Sequence, residues 1–289
     1  LQVSAAGTIA DDFTLSADQT NAIDANGFNA IFSGILSDQA GSIGTITFQN
    51  SGGSPGVIAL GAQSTYSGFT YVSDNTTVKV DTNNALPGNT LVVLYGNGSL
   101  ALGANNQAIG ALGGNGTIDL GSGTLTLQGG PALLSNSGAA ITGSGGLVMN
   151  GAYTQVLTGN SSYTGPTLVT AGILQIGPGG SIRSNARVQS GVLSVNGVLN
   201  GNVDTDSPGT LQGVGVINGD VFNEGSVSPG NSIGTLTVNG SYAQGLINPQ
   251  NANLNIEVDG ASSDLLKITG ANRIVLLGGN LNISGPAVS

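Results

Sequence analysis

The sequence predicts an all-β chain wound as a parallel β-helix (β-solenoid), and three observations lead there. First, residues 191–242 read as very short runs in which apolar residues alternate with small or polar ones: Leu193 and Val195, Leu199, Val203, Leu211, Ile217, Val221, Val227, Leu236 and Val238. A two-residue period over roughly three to five residues, broken by Gly or Asn-Gly, marks strands too short for an ordinary sandwich. Second, Gly fills 50 of 289 positions and charged residues only 7%, whereas globular chains average about 7% and 25% respectively. Third, helix signals are nearly absent. Strands this short suit the sides of a stacked coil, in which each turn buries its apolar residues against the next.

Composition narrows the function classes. With 39% apolar residues and a positive mean hydropathy, the chain is too apolar for disorder, so its glycines read as turns. Fifteen acidic residues face five basic ones, Lys79, Arg183, Arg187, Lys267 and Arg273, for a net charge of −10. That balance repels phosphate backbones and leaves no basic stripe, which excludes nucleic acid as an expected partner. The scattered acids read as solubility charges. Cysteine is absent, so there is no disulfide framework or thiolate chemistry, as suits export through an oxidising compartment. No apolar run is long enough for a membrane-spanning helix. Leu1 is not an initiator Met, and the chain reads as a mature product or an excised fragment.

Along the chain, residues 16–31 are the best helix candidate, with Asp18, Ala22, Ile23 and Ala25, but Gly27 interrupts them. Elsewhere the pattern is strand, turn, strand. Segments 117–120 and 124–127 flank Gly121-Ser122-Gly123, with Ile118, Leu120, Leu125 and Leu127 expected inward and Asp119 and Thr126 outward. A weak repeat aligns residues 62–80 with 159–177 and superposes Tyr66-Ser67-Gly68 on Tyr163-Thr164-Gly165, an offset of 97 residues. At about 20–25 residues per coil this offset spans several coils, and the chain makes roughly a dozen.

Residues 145–177, GGLVMNGAYTQVLTGNSSYTGPTLVTAGILQIG, resemble the autotransporter-associated β-strand repeat through Tyr163-Thr164-Gly165, Thr167, Val169, Gly172 and Leu174. Residues 106–127 resemble the segment that accompanies such repeats. From Gly191 to about Ile283 the chain resembles the autochaperone or junction module at the C-terminal end of passengers. The matching residues are Gly213, Gly215, Ile217, Gly219, Val221, Asn223, Gly225, Val227, Pro229-Gly230-Asn231-Ser232, Gly234, Leu236, Val238, Gly240 and Tyr242, then Asp264, Leu266, Gly270, Gly278-Gly279 and Leu281. Coverage runs from about Val57 onward; residues 1–56 match only in texture. The resemblance is to the passenger region of bacterial autotransporters (type V secretion). It implies a right-handed parallel β-helix exported through the outer membrane to the cell surface or medium, with its own C-terminal translocator barrel as partner. On this basis residues 1–185 are expected to be passenger coils, and residues 186–289 an autochaperone-like cap that aids folding during export.

Enzyme chemistry is poorly supplied. Without His or Cys there is no Ser-His-Asp triad, Cys nucleophile or His-bearing zinc site. Gly-x-Ser-x-Gly at 52–56 and 230–234 precedes no helical pattern and reads as a Gly-rich turn, not a nucleophile elbow. Tyr153, Tyr163 and Tyr242 read as packing residues. Because polysaccharide lyases and hydrolases also use β-helices, the acid groups Asp11/Asp12, Asp204/Asp206, Asp220/Glu224 and Glu257/Asp259 are candidates beside Arg183 and Arg187; turn acids on a solvated surface are the plainer account. Residues 113–119 resemble a calcium nonapeptide, but Asp119 falls one place late and the unit does not recur. Asn196-Gly197, Asn218-Gly219 and Asn239-Gly240 read as corners that need positive φ. No catalytic, cofactor or metal residue is assigned, and the binding face is unknown. The expected role is a non-enzymatic adhesin or self-association module for a host-cell or bacterial surface ligand. A passive stalk for an upstream domain is the rival, and a polysaccharide-active enzyme the third reading.

Overall fold

In a computed structural model, residues 1–130, 134–269 and 274–285 are described, and every regular element among them is a strand. Gly270 and Arg273 lie outside the described residues. The chain forms two compact units, Leu1–Gln155 with Ser161–Gly165, and Val156–Asn160 with Pro166–Ser289. Each is a stack of coils, with every coil laying short strands against the coil before it in parallel register.

In the first unit one side holds Asn21–Asp24, Ile46–Gln49, Thr70–Val72, Leu91–Leu94 and Ala111–Gly114. A second side is a seven-stranded parallel sheet from Gly7–Ile9 to Ala140–Thr142. The third pairs Phe13–Leu15 with Leu36–Asp38, and further along Gln107–Ile109, Leu125–Leu127 and Leu147–Met149. Residues 16–31 hold strands Asn21–Asp24 and Asn29–Phe32 in place of the candidate helix. Positive φ at Asn26 and Gly27 turns the chain between them. Ile118, Leu120, Leu125 and Leu127 are fully buried, with Asp119 exposed and Thr126 half-buried, as the alternation predicts. The two strands they lie on are not hydrogen-bond partners. Thr117–Asp119 and Leu125–Leu127 belong to different sides of one coil.

The second unit repeats the plan. One side runs Ile173–Ile176, Val192–Val195, Thr210–Gly213, Ser226–Pro229, Asn253–Asp259 and Asn280–Ser284. Another is a five-stranded sheet from Ser181–Ile182 to Leu265–Ile268. The third includes Thr167–Val169, Ala186–Val188, Val203–Thr205, Val221–Asn223, Tyr242–Gln244 and Ile274–Leu276. Asn200 and Asn218 bond across 18 positions, whereas Thr70 and Thr90 in the first unit bond across 20 and Asn75 and Asn97 across 22. The 20–25 expected from solenoids fits much of the first unit, which also holds an 18-residue step from Ser99 to Thr117, while the second unit ranges from 16 residues between Thr210 and Ser226 to 32 between Tyr242 and Ile274. Among the described strands one pairing is antiparallel, Asn253–Asp259 turning back at Gly260 onto Ser262–Ser263, and an isolated antiparallel bridge joins Gly213 and Gly230.

Every apolar residue of the 193–238 alternation named above is fully buried. Each such side chain withdrawn from water contributes about 1.5–3 kcal/mol, and coil-on-coil stacking provides that cover. Some interior positions are polar, and most find partners in a neighbouring coil. The Tyr66 hydroxyl bonds Thr70 Oγ1 at 2.6 Å, which bonds Thr90 Oγ1 at 2.9 Å. Gln155 joins Leu112 and Ser135. Asn223 Nδ2 donates to the Asn253 carbonyl at 2.9 Å and to the Tyr242 hydroxyl at 3.1 Å. Among the described residues, Thr205 Oγ1 alone is buried without a partner.

The glycines are explained by the stacking. A Cβ at Gly219 would sit 2.1 Å from the Gly201 carbonyl oxygen, and one at Gly240 would sit 2.1 Å from that of Gly219. Gly123, Gly145 and Gly165 form the same column in the first unit. This corrects the expectation for the Asn-Gly corners. Gly197, Gly219 and Gly240 do not have positive φ; they are glycine because the preceding coil's carbonyl occupies the space of a side chain.

Two predictions follow from this packing. Gly219→Ala should destabilise the fold by about 1–3 kcal/mol, the usual cost of overpacking. Gly53→Ala, where a Cβ meets nothing within 4 Å, should leave the urea midpoint unchanged. Thr205→Val removes a buried hydroxyl that has no partner and should be neutral or stabilising by up to about 1 kcal/mol, whereas Asn223→Ala should cost about 2–3 kcal/mol by orphaning its partners. Equal losses in chemical denaturation would contradict that contrast.

Candidate functional site

Of the acid pairs singled out in the sequence, Asp12, Asp220 and Glu224 are backbone acceptors. Asp12 Oδ1 accepts the Ile35 N–H at 2.7 Å. Asp220 Oδ1 accepts the Ser241 N–H at 2.7 Å, one rung of a column in which Asn185 accepts from Asn202 and Asn202 from Asp220, both at 2.9 Å. Glu224 gathers the N–H groups of Leu246, Ile247 and Asn248 at 2.7–3.0 Å. Asp264 is buried and accepts the N–H groups of Gly234 and Glu257, both at 2.9 Å, pinning the Pro229-Gly230-Asn231-Ser232 loop beside the long strand Asn253–Asp259. Asp206 takes the Arg187 Nε–H at 2.7 Å. Burial raises the Asp204 carboxyl above its usual range and Asp206 adds to the rise, while Arg187 opposes it. Arg183 is exposed.

Ser54 and Ser232, the serines of the two Gly-x-Ser-x-Gly segments, lie in loops that lead into no helix. Asp119 Oδ1 accepts the Gly121 N–H at 2.9 Å, and no metal-capable group of three or more acids occurs among the described residues. Tyr153, Tyr163 and Tyr242 are buried. Burial raises Tyr242 to about 12 and its hydrogen bond from Asn223 opposes the rise. These tyrosines are interior packing groups.

Asp24 is the most perturbed carboxylate. It is 6% exposed, and burial favours its neutral form, but four donors outweigh that. The Ser51 hydroxyl at 2.6 Å, the Ser51 and Asn26 N–H groups at 2.9 Å and the Gln2 amide at 3.3 Å hold it at about 2, below the ordinary 3.8. It fastens the first coil to the third.

The outer surface carries side-chain columns in step with the coils. Asn218 Nδ2 donates to Asn200 Oδ1 at 2.8 Å, Asn239 Nδ2 to Asn218 Oδ1 at 2.7 Å, and Thr269 Oγ1 to Asn239 Oδ1. On the first unit, Tyr71 and Tyr95 stack with ring centroids 5.9 Å apart, and Tyr95 borders a cleft with Gln49, Asn50, Ser51, Ser73 and Asp74. Sequence reasoning missed both tyrosines. They are 24 positions apart, close to one coil, and that spacing was the available signal.

A family model described as the passenger-associated transport repeat matches residues 142–176, overlapping nearly all of the stretch 145–177 whose resemblance the sequence suggested. An extracellular serine protease of Serratia marcescens is 35% identical over 141 residues, 48% of this chain and 11% of that protein. The chain thus spans about a tenth of the length of the curated relative it matches. Parallel β-solenoid, transport repeat and extracellular relative are together consistent with an autotransporter passenger region. Such a region is exported through the outer membrane to the cell surface or medium.

The Asp24 network yields a pH dependence. Its folded pKa, about 2, is below the ordinary 3.8, so ionised Asp24 stabilises the first unit above pH 3.8, and that contribution disappears as pH falls towards 2. Asp24→Asn should therefore lower stability by about 1–2 kcal/mol at pH 7. The gap between variant and parent denaturant midpoints should close between pH 3.8 and 2; a gap constant over that range would contradict the assignment.

Proposed function

We propose that this chain is a non-enzymatic stretch of an exported passenger, acting as an adhesin or self-association module on the cell surface. Its partner is a host-cell or bacterial surface ligand or another copy of the chain. The observation that carries this reading is the set of outward side-chain columns fixed by hydrogen bonds at coil spacing, such as Asn200–Asn218–Asn239. A rigid periodic array lets many weak contacts add through avidity. Asp220, Glu224 and Asp264 favour the same reading, because they accept backbone N–H groups, and the chain has no His to serve as a base.

Residues 186–289 act in this proposal as an autochaperone-like module, with the translocator barrel as the partner during export. The fully buried alternation from Leu193 to Val238 supports that role, because a stable stack offers the template on which neighbouring coils add. A second reading, the passive stalk, draws on the relative: most of that extracellular serine protease lies outside the matched segment, so an activity carried elsewhere in a longer protein fits equally.

Display of the passenger on cells, with surface level measured by antibody labelling, separates these readings. Deleting residues 1–155 should abolish aggregation and host-cell adherence at unchanged surface level. Deleting 186–289 should instead lower the surface level itself. Adherence that survives loss of the coils and follows an upstream domain would favour the stalk.

A further inference from the structure

We infer that the outward cleft beside Tyr71 and Tyr95 binds the neutral sugar rings of a surface glycan. The chain has six tyrosines and no tryptophan. Tyr66, Tyr153, Tyr163 and Tyr242 are buried in the interior. The remaining two are stacked on each other across adjacent coils, with centroids 5.9 Å apart and planes tilted by 33°. Phe69 meets Tyr71 edge-on at 6.3 Å and extends the aromatic strip. Tyr95 is 49% exposed, so its ring offers surface to a ligand.

Polar groups suited to hydroxyls surround that ring. Among the described residues, the Gln49 amide, the Ser73 hydroxyl and the hydroxyls of Tyr71 and Tyr95 have no hydrogen-bond partner. Asp74 uses Oδ1 to accept the Asn97 N–H at 2.9 Å, and Oδ2 is left for a ligand. The cleft wall is fixed in advance: Asn50 accepts the Gly27 N–H at 2.6 Å and donates to the carbonyls of Ser54 and Asn75. Little ordering cost remains to be met on binding.

This combination matches a pyranose better than other ligand classes. A sugar ring has an apolar C–H face, which packs on an aromatic ring, and a rim of hydroxyls, which needs both donors and acceptors. Gln49, Ser73 and Asp74 supply both. Acidic sugars are disfavoured because no basic side chain borders the cleft, Asp74 is negative and the chain carries −10. Lys79, the basic residue nearest in sequence, pairs with Asp81 at 2.7 Å.

The inference rests on the adhesion reading and deepens it by naming the ligand class. Its test uses the purified full chain on an array of neutral hexose and N-acetylhexosamine oligosaccharides, with polygalacturonate and heparin fragments as the acidic set. Binding to neutral glycans is expected, with Tyr95→Ala and Tyr71→Ala each weakening it by about tenfold. Gln49→Ala, which removes a side chain with no partner in the fold, should weaken it at an unchanged melting temperature. No binding to any neutral glycan, binding confined to the acidic set, or binding untouched by all three substitutions would overturn the proposal. Loss of cell adherence with glycan binding intact would instead sink the adhesion reading alone.

Discussion

Parallel stacking of one coil's backbone on the next is the constraint from which the rest of this structure follows. Adjacent strands lie about 4.8 Å apart, and that spacing must hold at the corners as well as along the sides. Where a carbonyl projects into the coil above, as at Gly201 beneath Gly219 and Gly219 beneath Gly240, no side chain fits. Where a corner leaves an N–H open, a side chain from the preceding coil accepts it, as Asn185, Asn202 and Asp220 do in succession. Glycine and asparagine are thus two answers to one spacing, and their abundance is a consequence of the architecture.

The same constraint governs the interior. Apolar residues stack in columns and need only match in size, but a buried polar group must find its partner in a neighbouring coil or lose hydration uncompensated. Asn223 and Gln244 meet this through a shared network with the Tyr242 hydroxyl, as do Thr70 and Thr90 with Tyr66. Thr205 is the exception. In the last described coil, Ile274 and Leu276 continue the buried column of Tyr242 and Gln244 yet are mostly exposed, because no described strand covers them.

Function follows from what the stacking leaves over. Four of the eight paired acids are engaged, Asp12, Asp220 and Glu224 as backbone acceptors and Asp206 in an ion pair with Arg187. The outward positions are then free to vary without disturbing the coil. Tyr71 and Tyr95 use that freedom, since a half-buried Tyr71 stacked on an exposed Tyr95 is not required by the interior.

The sequence by itself determined the architecture and the inward face. Leu193, Val195, Ile217, Val227 and Val238 could be assigned from alternation because a strand's period of two depends only on local backbone geometry. The Tyr66 and Tyr163 repeat was legible for the same reason: both are buried tyrosines followed two places later by a glycine lying against the previous coil. Tertiary structure alone decided which residues lie above one another. Coil lengths vary from 16 positions, between Thr210 and Ser226, to 32, between Tyr242 and Ile274, so a miscount moves a side chain to a different column. That is why the Asn-Gly corners were misread as positive-φ turns, why Asp220 could not be recognised as a rung, and why the pairing of Tyr71 with Tyr95 was invisible until the coils were counted in space.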